Sequence, residues 1–207
     1  MEFQYKGLKG TLTRLSVTEE EIDRQLRRLD GQDTSEFTPE ELRQGVADSL
    51  RAYYDEQAEQ ELMDQLIRQA ASTLDDTPTE EEIEEGAKAQ LETLSAHLAK
   101  RELSLDAYCS FMSTTQEQLL EDMREDAKSL LRMNKALLKV AELEGFTAEK
   151  EEIDTLCRNI CLENQLSAEE FAKLYDETLA QTLKENVLCS KAMACIRENA
   201  VVEEVFQ

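Results

Sequence analysis

Tryptophan is absent from this sequence, and proline (2), glycine (6) and histidine (1) are scarce. With aromatic residues at 5%, too little turn chemistry remains for an all-β sandwich or barrel. Basic residues are also in short supply: 23 Lys and Arg face 46 Asp and Glu, a formal net charge of −23. A surface that negative repels phosphate backbones and anionic headgroups, so neither nucleic acid nor a membrane is expected as a partner. No run approaches the ~18 apolar residues of a membrane-spanning helix. The stretch Met1-Glu2-Phe3-Gln4-Tyr5-Lys6 has neither the basic nor the apolar region of a secretory signal. Cysteines 109, 157, 161, 189 and 195 are odd in number and scattered, which is not a disulfide framework. A cytoplasmic location is expected.

What is present reads as helix. Residues 3–15 are the one strand-like piece, an extended segment or small hairpin that cannot make a stable sheet alone. Thr18 and Glu21 form a capping box opening a short helix to about Leu29, and Asp30–Glu36 reads as a linker. Thr38-Pro39-Glu40-Glu41 then starts a long helix to about Leu74, with a Thr cap, Pro at the first position and acids in the first turn. Its apolar residues fall at 42, 46, 50, 54, 58, 62, 66, 70 and 74. At ~100° per residue each step of four over-rotates by ~40°, so the stripe winds around the helix. Such a helix meets different neighbours at its two ends, as a spine does.

Further helix starts follow at Thr79, Ser104, Thr114 or Thr115, Thr147 and Ser167, with ends expected near Arg101, Met112, Glu144, Glu163 and Asn199. The tail holds Val201, Val202, Val205 and Phe206 and either packs back on the body or hangs free. The fold class is therefore all-α, behind a short extended or β leader.

Chemistry is thinly represented. His97 is the one histidine and reads as a surface or helix-packing residue. The cysteines have neither zinc-site spacing nor histidines to complete a shell, so they read as small buried hydrophobes. Glu80 to Glu85 lacks the alternating ligands and central Gly of a calcium loop and reads as an acidic first turn. No phosphate-binding or nucleophile-elbow motif is present. Neither an enzyme nor a bound cofactor or metal is expected.

Two patterns leave alternatives open. Arg124, Lys128, Arg132, Lys135 and Lys139 line one face of the 114–144 helix; they either pair with neighbouring carboxylates or form a basic strip meeting acidic parts of a partner. Tyr108, Phe111, Met112, Met123 and Met133 are either helical core or an adaptable apolar binding surface.

The order of motifs resembles that of bacterial trigger factors. Tyr5-Lys6-Gly7-Leu8 leading to Val17-Thr18-Glu19-Glu20-Glu21-Ile22-Asp23 is similar to the segment joining that family's ribosome-binding and prolyl-isomerase domains. Ala127-Lys128 and Leu137-Leu138-Lys139-Val140-Ala141-Glu142-Leu143-Glu144-Gly145-Phe146-Thr147 resemble its C-terminal signature. Glu198-Asn199-Ala200 resembles its exit from the final helix. The family's ribosome-binding signature, Gly-Phe-Arg-x-Gly-Lys-x-Pro, is missing, since Gly145-Phe146 is followed by Thr147. Between Leu29 and Thr38 there is no space for the isomerase domain, through natural loss or deletion. Ribosome docking and isomerase activity are accordingly not carried over.

The resemblance implies a leader and linker at 1–36 and a helical substrate-binding domain at 37–207. Two arms, roughly 79–145 and 147–199, would flank a crevice. It implies an ATP-independent chaperone, a holdase for unfolded or nascent polypeptides. Client contacts are expected at Tyr108, Phe111, Met112, Met123, Met133 and Leu137. The rival reading is a helical scaffold or adaptor that binds one folded partner or self-associates, as a homodimer through the arms or the Val201–Phe206 tail.

Overall fold

The computed structural model describes residues 3–29 and 36–207, so the expected linker lies, apart from Glu36, outside the described residues. Eight helices and two short strands occur among them, an all-α fold carrying a minimal sheet. The chain divides into two compact units: one holds Lys6–Leu66 and Ile196–Gln207, the other the residues through Tyr5 and Ile67–Cys195.

In the first unit, the leader strand β1 (Lys9–Arg14) pairs in parallel with β2 (Val201–Phe206), in register from Lys9 opposite Val201 to Arg14 opposite Phe206. The leader is thus extended but forms no hairpin, because its ladder is completed by the far end of the chain. Helix α1 (Glu19–Arg28) begins with the Thr18–Glu21 capping box. The opening of α2 (Pro39–Ser72) is held by Thr38, whose side chain accepts from the Glu41 N–H at 3.2 Å. Leu8, Leu12, Leu62, Leu66 and Ile196 are among the buried apolar residues of this unit. Gly10 permits the close approach of β1 to α2, since a Cβ there would stand 2.3 Å from a Leu62 methyl. Charged pairs tie the rim: Arg197 grips Glu59 through two bonds of 3.0 and 3.1 Å, Arg14 reaches Asp55 at 2.6 Å, and Arg43 pairs with Asp23 and Glu19.

The winding stripe of α2 is present. Ala58, Leu62, Leu66 and Ala70 are buried at steps of four, whereas Leu42, Val46, Leu50 and Tyr54 are half-buried. The helix supplies residues to both units, changing over between Leu66 and Ile67.

In the second unit, α3 (Glu80–Ala99) and α5 (Gln116–Glu144) pack closely, with the short α4 (Leu105–Phe111) between them in sequence. Small residues set the distance: a Cβ built on Gly86 would lie 3.1 Å from that of Ala127. Ala87, Met123 and Ala127 form the buried cluster, flanked by Leu91, Leu94, Leu119 and Leu120. A second cluster, Ala71, Leu74 and Ala136, receives Phe3 and Met133. Gly145 closes α5 in the left-handed conformation with φ 67°.

Two helix boundaries differ from expectation. Glu149, not Thr147, caps α6 (Lys150–Glu163): its N–H donates to the Glu152 carboxylate at 2.9 Å, and the Thr147 hydroxyl donates to Glu149. The final helix is broken into α7 (Ala168–Leu174) and α8 (Glu177–Glu198). Tyr175 turns extended and the Asp176 carboxylate accepts from the Leu179 N–H at 2.8 Å, restarting the helix as an N-cap. Lys191 joins α8 to the start of α6 through Thr147 O and Glu152, both at 2.7 Å.

Candidate functional site

Helix α4 sits between two tight turns. Glu102 before it and Ser113 after it take left-handed φ of 57° and 55°, unusual for residues other than glycine. In each turn the next N–H reaches back five residues: Leu103 to Leu98 O and Thr114 to Cys109 O, both at 3.0 Å. Ser104 caps α4, Cys109 buries its inner face, and Asp106 accepts from Gln116 Nε2 at 2.7 Å. Two large apolar side chains point outward at its exit. Phe111 is 86% exposed and Met112 53%.

The expected client residues separate into three kinds. Phe111 and Met112 lie on the surface, and Tyr108 is half-buried beside them. Met133 is half-buried against the Ala71, Leu74 and Ala136 cluster. Met123 and Leu137, at 9% and 7% exposure, are core residues of this structure and present no surface to a partner. Helical spacing placed all six on plausible lines but could not tell which side of the helix its neighbours covered.

Other exposed apolar side chains went unread in the sequence, among them Leu103, Leu130 and Leu162. Nothing in their residue type or spacing set them apart from apolar residues that are buried. Also missed was an open hollow of about 620 Å³ beside α1 and α2, lined by Leu29, Phe37, Leu42, Val46 and Leu50.

The basic strip of α5 splits between its two readings. Arg124 pairs with Glu80 and Glu84 at 3.8 and 3.2 Å, and Lys135 with Asp76 and Glu82 at 3.4 and 3.2 Å. Lys139 pairs along its own helix with Glu142. The acidic start of α3 is therefore engaged, and Glu82, receiving the Thr79 N–H and the Lys135 ammonium, is held below the ordinary carboxylate pKa. Lys128 and Arg132 have no carboxylate partner among the described residues.

All five cysteines are free thiols, His97 is exposed near the end of α3, and no metal-holding group of three or more His, Cys, Asp or Glu occurs among the described residues. No helix among them is long and apolar enough to cross a membrane.

Comparison with known proteins agrees with this architecture. A trigger factor from Caldicellulosiruptor saccharolyticus is 25% identical over 206 residues, covering 97% of this chain and 47% of the relative. One from Streptococcus sanguinis is 26% identical over 212 residues, covering 98% and 48%. This chain thus spans about half the length of the curated relatives it matches. A solved structure of trigger factor domains from Thermotoga maritima shares the fold, with a TM-score of 0.53 at 15% identity over 75% of this chain and 90% of that one. Residues 38–198 match the family described as bacterial trigger factor protein (TF) C-terminus, and the chain belongs to that family.

Proposed function

We propose that this chain is an ATP-independent chaperone that holds unfolded or nascent polypeptides, with the helical region 37–207 as its binding part. The arms at 79–145 and 147–199 would flank the held segment. Membership of a chaperone family supports the general activity. The observation that carries the reading on this chain is the outward pair Phe111 and Met112, held on a short capped helix between two tight turns. A large apolar side chain fixed in water favours any partner that covers it, and the adaptable Met suits many such partners. Tyr108 and Met133 extend that contact, while Met123 and Leu137 stiffen the helices beneath. The charge of −23 keeps a loaded complex soluble. Ribosome docking and prolyl isomerisation form no part of the proposal, nor does a cofactor, and its setting would be the cytoplasm.

The test is light scattering during refolding of an aggregation-prone client, with no nucleotide. Suppression that grows with added protein is expected. An unchanged scattering trace at several-fold molar excess, from a folded and helical sample, would refute the proposal and favour the scaffold reading.

A further inference from the structure

Lys128 and Arg132 stand one turn apart on α5 and line an open cavity of about 400 Å³ with Arg68, Ala71, Ser72, Glu125, Ser129 and Met133. Both cations lack a carboxylate partner among the described residues, although the chain has twice as many acids as bases. Arg132 is fixed by one bond, from Nη2 to the Ala71 carbonyl at 3.1 Å. Its Nε–H is buried with no hydrogen-bond partner among the described residues. Burying such a donor costs free energy that an acceptor in the cavity would recover, the more so for a charged group. Arg68 donates to the Ser129 hydroxyl oxygen at 2.9 Å, leaving that hydroxyl's own proton without an acceptor among the described residues. Lys128, Ser129 and Arg132 thus line one space, an ammonium, a hydroxyl and a guanidinium together.

We propose that this cavity binds the side-chain carboxylate of a glutamate or aspartate in a held polypeptide. The inference rests on the polypeptide-holding reading above. Two features select a carboxylate over a phosphate or a polyanion. Glu125 lines the same space and opposes a doubly charged group, and the field of the whole molecule opposes any long run of negative charge. Ala71 and Met133 provide apolar wall for the methylenes of the acidic side chain and its neighbours. The site gives an otherwise acid-repelling surface one place where an acidic segment is anchored.

The test is carried out on the full chain, isotopically labelled, by following the Arg132 Nε–H signal in ¹H–¹⁵N spectra. N-acetyl-glutamate N-methylamide is titrated in, with the glutamine analogue as control. The glutamate derivative is expected to shift the Arg132 signal and to bind about tenfold more tightly than the analogue, the scale of one hydrogen bond to a charged group. Lys128→Gln, at an exposed position, should remove most of that preference without altering the helical circular dichroism. An unmoved Arg132 signal, or equal responses to the two compounds, would overturn the proposal. A second arm uses an unfolded peptide and its Glu→Gln twin. Preference for the acidic peptide, lost in Lys128→Gln, supports the site. Equal binding of both peptides sinks the site while leaving the holding activity intact. If the small glutamate derivative binds and neither peptide does, a polypeptide is not the ligand and the holding reading fails with it.

Discussion

Glu21 shows how a single carboxylate can hold more than its position suggests. It accepts from the Tyr54 hydroxyl and from the backbone and side chain of Thr18, with the Tyr54 bond the largest influence, and its pKa falls to about 2 from an ordinary 4.5. A depressed folded-state pKa means that the ionised form stabilises the fold. That contribution is present above about pH 4.5 and is lost as the pH falls through about 2. In Tyr54→Phe the Glu21 midpoint should rise, and acid unfolding should begin at higher pH. Side-chain carboxyl NMR titration reads the first, and an unchanged midpoint would show that Tyr54 is not the cause. Cys189 is the opposite case. Burial, then the charge of Glu185, pushes its thiol up to about 11, and Sγ meets Asn134 Oδ1 at 3.2 Å. Only the thiolate is nucleophilic, so iodoacetamide at pH 8 should spare Cys189 until denaturant is added. Mass spectrometry showing native alkylation of Cys189 at the rate of Cys161 would contradict its placement.

At the scale of elements, capping chemistry was the most legible part of the sequence. Thr18, Thr38, Thr79, Ser104, Thr115 and Ser167 each open a helix, because a side-chain oxygen three residues before an N–H is a local device. The break at Asp176 was not legible, since the apolar pattern continues across it and the cap differs from its neighbours only in the turn made by Tyr175. Nor was the pairing of β1 with β2, which depends on residues 192 positions apart meeting in space. In hindsight Gly10 was its one local sign, a residue without a side chain where the strand lies against α2. Gly10→Ala places a methyl against the buried Leu62, and overpacking of this kind costs about 1–3 kcal/mol. A lowered urea midpoint with unchanged slope is expected; an unaltered midpoint would mean that β1 does not press on α2.

For the whole molecule, the legible features were those that composition controls: helix throughout and strong acidity. The residues proposed for binding were legible only as a set. Spacing put Met123 and Phe111 on equal terms, and burial separated them, because exposure depends on which helix covers which face. The basic strip behaved similarly, three of its members engaged by carboxylates and two left facing a cavity. The most direct measurement is the affinity of an unfolded client for the unaltered chain and for Phe111→Ser with Met112→Ser. Both side chains are exposed, so the variant should keep its fold and melting temperature. The account predicts binding about tenfold or more weaker in the variant, the scale expected for removing two large apolar contacts. Equal affinity, with both proteins fully folded, would show that the exit of α4 does not hold polypeptide.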